Sequence, residues 1–135
     1  MKAIPLALVD GAAKQVEPAL ATHLKIQMPG PVGPLVLPVQ IKGTREGTGN
    51  WTWNGDIEKP TLKPSVLTSA GHFAPGFKPE EHSCWCTYNK ARPDQAPAFT
   101  CYRCHVWVND GNVQFLDDTT HELRNQTVPL LDPVL

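Results

Sequence analysis

Fourteen prolines and ten glycines are spread through these 135 residues, and that density excludes a helical domain. Proline lacks a backbone donor and clashes with the preceding helical turn, and glycine costs about 1 kcal/mol in a helix interior. No stretch sustains the apolar period of a helix. The chain must therefore be built from short strands joined by turns and loops. Its length suits one domain with a modest core. We expect a single domain over residues 1–135, mostly β, as a small sandwich or open barrel with long loops.

Alternation places the strands. Ile4–Val9 reads as an edge strand before an Asp10-Gly11 turn. Leu24, Ile26 and Met28 alternate with His23, Lys25 and Gln27, so Thr22–Met28 reads as a half-buried strand. A Pro/Gly cluster turns the chain back into Leu35–Ile41, where Pro38 points to an edge or a bulge. Gly43–Gly49 reads as a loop. Asn50–Trp53 is a strand ending in an Asn54-Gly55 turn. Prolines make residues 56–80 mostly irregular, with one strand near Ser65–Thr68. The clearest hairpin joins Cys104–Val108 to Asn112–Leu116 through Asp110-Gly111. Asp118–Leu123 suits one short helical turn capped by Asp118 or Thr119, and Gln126–Leu131 a last strand.

All four cysteines fall in one stretch, as Cys84-Trp85-Cys86 and Cys101-Tyr102-Arg103-Cys104. Paired thiols at this spacing are how a chain gathers four thiolates around one structural zinc ion. Two disulfides and unrelated buried thiols are the competing readings. The N-terminus is mildly apolar but interrupted by Pro5 and Asp10, so it does not read as a signal peptide, and no run reaches membrane-spanning length. That suggests the cytoplasm, where thiols stay reduced and clustered cysteines hold metal. Residues 72–104 then form a zinc-knuckle insertion held by Cys84, Cys86, Cys101 and Cys104. His82 is a fallback ligand; His72 and His82 otherwise read as surface residues in loops. A net charge of -1 and a pI near 6.5 argue against a dedicated nucleic-acid binder, which would show a basic face, and no membrane contact is expected.

The remaining chemistry sits in His105, Asp118, His121 and Ser65. Two imidazoles and a carboxylate could hold a second, catalytic zinc with an open water position, with Glu122 or Asp56 as general base. A metal-free alternative makes Ser65 the nucleophile, His121 its base and Asp118 the group that orients the base. In a third reading the histidines are structural and Asp118 is a helix cap. Trp51 and Trp53 share a strand face, which suits core packing or a recognition platform.

Several blocks occur together in order: Trp51-Thr52-Trp53-Asn54-Gly55-Asp56, Lys59-Pro60-Thr61, Pro64-Ser65, Cys104-His105, Asp110-Gly111, Gln114-Phe115-Leu116, Asp118-x-Thr120-His121-x-Leu123 and Gln126-Thr127-Val128. Over residues 22–131 the chain resembles a small uncharacterised phage and bacterial family, sometimes mislabelled as ammonia monooxygenase. Some bacterial relatives occur with operons for ubiquitin-like conjugation. The resemblance implies a peptidase-like processing role there, with a ubiquitin-like protein as partner. For phage members it implies a host-directed or anti-defence role in the host cytoplasm. Many relatives carry a Cys-Pro-x-Cys knuckle where this chain has Met28-Pro29-Gly30-Pro31, so their metal positions do not transfer. The leading expectation is a zinc-binding hydrolase. Its rivals are a non-catalytic, zinc-stabilised binding module for a host or phage protein and a minor structural protein.

Overall fold

The computed structural model describes residues 1–41, 49–74, 76 and 83–134. Most of the loop expected at 43–49, and His82, lie outside these residues. Among the described residues nine strands form one sheet in the order β2-β1-β3-β4-β5-β6-β7-β8-β9. They are β1 Ala3–Val9, β2 Ala12–Gln15, β3 His23–Gln27, β4 Pro34–Gln40, β5 Trp51–Trp53, β6 Leu62–Ala70, β7 Tyr102–Asn109, β8 Asn112–Phe115 and β9 Thr127–Pro129. Neighbours pair antiparallel except β4 and β5, which run parallel. A bridge from Gln27 to Leu131 brings the chain beyond β9 back against the end of β3.

The expected alternation holds. Leu24, Ile26 and Met28 from the first half of the sheet join Leu62, Val66, Val106, Val108, Val113 and Phe115 from the second half in one buried cluster. Trp53, with none of its surface exposed, lies among them. Each such side chain contributes about 1.5–3 kcal/mol by leaving water, so the core fixes which face of every strand looks outward.

Three expectations change in detail. β1 is not the edge, because Asp10-Gly11 turns the chain into β2, which covers it. The strand near Ser65–Thr68 is longer, since β6 runs nine residues despite Pro64. It accommodates the proline through an irregularity. Leu62 pairs with Val108 and Val66 with Val106, so Lys63, Pro64 and Ser65 together face Trp107 alone. A bulge of this kind leaves donors unpaired, where a proline costs least, and re-aims the side chain beside it. The helical turn expected at Asp118–Leu123 is a run of turns instead. Among the described residues the helical segments are a 3-10 turn at Pro18–Leu20 and one short α-helix, α1 (Trp85–Lys90).

The Asn54–Thr61 connection is a self-satisfied loop. Asn54 Oδ1 accepts from the backbone of Asp56 and Thr61, and Asp56 Oδ1 accepts from Glu58 and Lys59. Asp56 is thus a turn-former, not a general base; the two backbone donors hold its carboxyl below the usual range. This loop docks on the β7–β8 turn, where Gly111 donates to the Pro60 carbonyl. A side chain on Gly111 (φ 79) would meet the Glu58 carbonyl at 3.2 Å.

Candidate active site

On β7, Cys104, Val106 and Val108 point into the core, so His105 and Trp107 point out. His105 lies opposite Leu67 of β6. Ser65 is two residues from Leu67 on the same face, diagonal to His105 and within reach across the strands. Ser65 Oγ is 2.8 Å from His105 Nε2. On the other side of the ring, Nδ1 is 2.9 Å from Asp118 Oδ2 and 3.1 Å from Oδ1. A carboxylate only accepts, so Nδ1 carries the proton and Nε2 is left to accept from the serine hydroxyl.

The sheet holds each member. Trp51 on β5 donates its indole N–H to the Ser65 carbonyl at 3.2 Å. Asp118 follows β8 and is fixed by the next two residues. Thr119, 1 % exposed, has a hydroxyl that accepts from the His105 backbone N–H and donates to the His105 carbonyl. Thr120 Oγ accepts from Arg103 N, and its backbone N–H donates to the Arg103 carbonyl. These contacts pull the chain out of helical geometry, which is why no helical turn forms there, and set the carboxylate beside the imidazole. The side chains of His105 and Asp118 are 26 % and 41 % exposed, so the group lies on an open face. Beside the bulge, Lys63, Trp107, Asn109 and Gln114 border a shallow depression of about 490 Å³.

Serine, imidazole and carboxylate in one hydrogen-bonded chain is the arrangement that activates a serine for acyl transfer. A family model described as the bacterial ubiquitination-like system serine protease (BubE) matches residues 35–116. The chain belongs to the BubE family. The matched span contains Ser65 and His105 and ends two residues before Asp118. No curated protein and no solved structure matches the chain. BubE membership agrees with the expected link to ubiquitin-like conjugation operons and with a protease-like reading. The chain order serine, histidine, aspartate differs from the orders in the chymotrypsin, subtilisin and α/β-hydrolase folds, so the resemblance to their triads is one of geometry and role.

His121 is placed elsewhere, which corrects both readings that used it. Its ring packs edge-on against Phe115 at 5.1 Å, and its Nδ1 accepts from the Leu123 backbone. Nε2 is buried with no hydrogen-bond partner among the described residues. Burial pushes the imidazole below the ordinary histidine range. Both nitrogens of His105 are engaged by Ser65 and Asp118. The expected His105–Asp118–His121 metal centre is therefore not assembled, and the imidazole beside Ser65 is His105. Glu122 is exposed on the turn that carries His121.

The cysteines also divide differently from the expected knuckle. Cys104 is 1 % exposed and part of the core, which pushes its thiol up. It belongs to an inward-facing strand position and does not join the other three. His72, Cys84 and Cys101 instead place their ligand atoms within 4.8 Å of one another. Interaction with the Cys101 thiol, with desolvation and the Cys84 thiol adding to it, pushes the Cys86 thiol up to about 11. Cys84, at the N-cap of α1, is lowered to about 6, chiefly by the Thr87 backbone N–H. His72, Cys84, Cys86 and Cys101 thus form a cluster able to bind a metal. Spacing could not reveal His72, which lies 12 residues before the first cysteine.

Proposed function

We propose that this BubE-family protein is a serine peptidase that cleaves the peptide bond following the C-terminus of a ubiquitin-like protein. The observation that carries this reading is the Ser65–His105–Asp118 hydrogen-bond chain. Ser65 Oγ attacks the scissile carbonyl while His105 Nε2 takes its proton, giving a tetrahedral oxyanion. The imidazolium is held by Asp118 and returns the proton to the leaving amine, which departs as the acyl-enzyme forms. Water, deprotonated by the same imidazole, then releases the acid and restores Ser65. Asp118 orients the ring and never needs to take up the proton. Trp51 fixes the backbone from which Ser65 projects. The depression beside Trp107 lies where an extended chain entering the site would rest.

The reading places the protein in the cytoplasm of a bacterium or of a phage-infected host, acting on a ubiquitin-like partner. Its cofactor is one zinc ion with a bracing role, held away from Ser65. Among the described residues no helix is long and apolar enough to cross a membrane.

The test uses a fluorophosphonate probe, which reacts only with an activated serine, together with a ubiquitin-like protein bearing a C-terminal extension. Labelling at Ser65 and removal of the extension, both lost in Ser65→Ala and His105→Gln, are expected. A folded wild type that binds the ubiquitin-like protein yet neither labels nor cleaves would replace this reading with the non-catalytic binding module.

A further inference from the structure

The chain leaves the sheet at the end of β6 and re-enters it at β7, although the two strands are antiparallel neighbours. At the neck of this excursion the Cys101 thiol donates to the carbonyl of Gly71, 30 residues earlier in the chain. Gly71 (φ 88) allows the two segments to touch, since a Cβ there would sit 3.0 Å from the Cys101 Cα and 2.6 Å from the Phe99 ring. The next residue is His72. Trp85, the first residue of α1, donates its backbone N–H to the same Gly71 carbonyl, which brings the flanking Cys84 and Cys86 to the neck. Trp85 also packs against Tyr88 and Phe99. The helix carrying two thiols is thus seated on the segment carrying the third.

We propose that His72, Cys84, Cys86 and Cys101 are the four ligands of a structural zinc site that closes this excursion at its neck. Three thiolates and one imidazole match the closed tetrahedral donor set that zinc prefers, with no position left for water. Three donor atoms already lie within 4.8 Å of one another, and Cys86 follows Cys84 by two residues in the first turn of α1. The site is not the four-cysteine set that spacing suggests. Strand alternation sends Cys104 into the core, and the imidazole that follows β6 takes its place. Metal bound only by the folded form adds its binding free energy to folding.

Untagged protein purified without chelators is analysed for metal and for the spectrum of its Co²⁺-substituted form. About one zinc per chain is expected, with a cobalt spectrum of three thiolates and one imidazole. His72→Ala should weaken zinc binding by roughly tenfold or more, whereas Cys104→Val, which keeps the core filled, should retain full stoichiometry. Zinc lost in Cys104→Val but kept in His72→Ala, or a four-thiolate cobalt spectrum, would overturn the assignment. So would wild-type protein that binds neither metal. The cobalt spectrum is read on wild type, so it decides the ligand set even where His72→Ala fails to fold. Ser65→Ala should keep its zinc, so loss of peptidase activity and loss of the metal site are separate outcomes.

Discussion

The same pair of strands carries two clusters built in opposite ways. Near the middle of β6 and β7, Ser65 and His105 are positioned by strand register, and every polar side-chain atom of Ser65, His105 and Asp118 has a hydrogen-bond partner. At the end of the pair, His72, Cys84, Cys86 and Cys101 come from two loops and one short helix. Strand register fixes none of these four donors, because all of them lie outside the strands. A sheet can preorganise side chains for chemistry without help. Donors brought together by loops need something to hold, and an ion does that.

The sharpest break of this contrast is Ser65→Ala. Turnover should fall on the order of 10⁴-fold or more while the fold and metal content stay unchanged, as read by single-turnover cleavage and elemental analysis. Asp118→Asn comes next. It leaves the ring a partner but favours the wrong tautomer, and kcat should fall by about 10³- to 10⁴-fold with KM little altered. Thr119→Val strikes the link between register and site. Two backbone groups of His105 lose their hydroxyl partner in a buried position, so stability should drop by about 1–3 kcal/mol in denaturant unfolding, with a parallel loss of turnover. A Thr119→Val protein of wild-type stability would show that the sheet alone places Asp118.

Smaller effects sharpen the other half. Gly71→Ala forces a side chain into left-handed backbone geometry at the neck and should cost about 1–3 kcal/mol. Fluorophosphonate labelling of the protein that remains folded should persist. His121→Phe removes the Nδ1 acceptor of the Leu123 N–H at every pH, and beyond that constant offset it should act through pH. The fold holds His121 neutral and below its ordinary range, so its contribution is present above that range and is lost as pH falls and the unfolded chain takes up the proton. Below about pH 6.5, the ordinary histidine value, the melting temperature of the wild type should therefore fall relative to that of the variant.

Much of the sheet was legible because alternation is a local signal. Leu24, Ile26 and Met28 announce their face whatever they pack against, and Asp110-Gly111 announces its turn. The bulge at Pro64 was not legible, since proline alone reads as an interruption and only the register with β7 shows the strand continuing through it. The candidate site divides the same way. Ser65, His105 and Asp118 were visible as residue types, but the choice of histidine depended on which strand faces which, a long-range fact. Asp118-x-Thr120-His121 suggested a cap, whereas Thr119 and Thr120 spend their hydrogen bonds on the β7 backbone. For the thiols, spacing grouped Cys104 with Cys101, yet strand alternation separates them, and His72 had no local signature at all.

Asp118 and His105 stand on the outward face of the sheet, where both side chains remain partly open to solvent. An enzyme whose reactive groups lie at the end of a tunnel can accept only thin, flexible chains. A nucleophile on an open wall sets no such limit. Two folded bodies joined by a short tether can straddle it, one resting on each side of the cut, without either having to unfold.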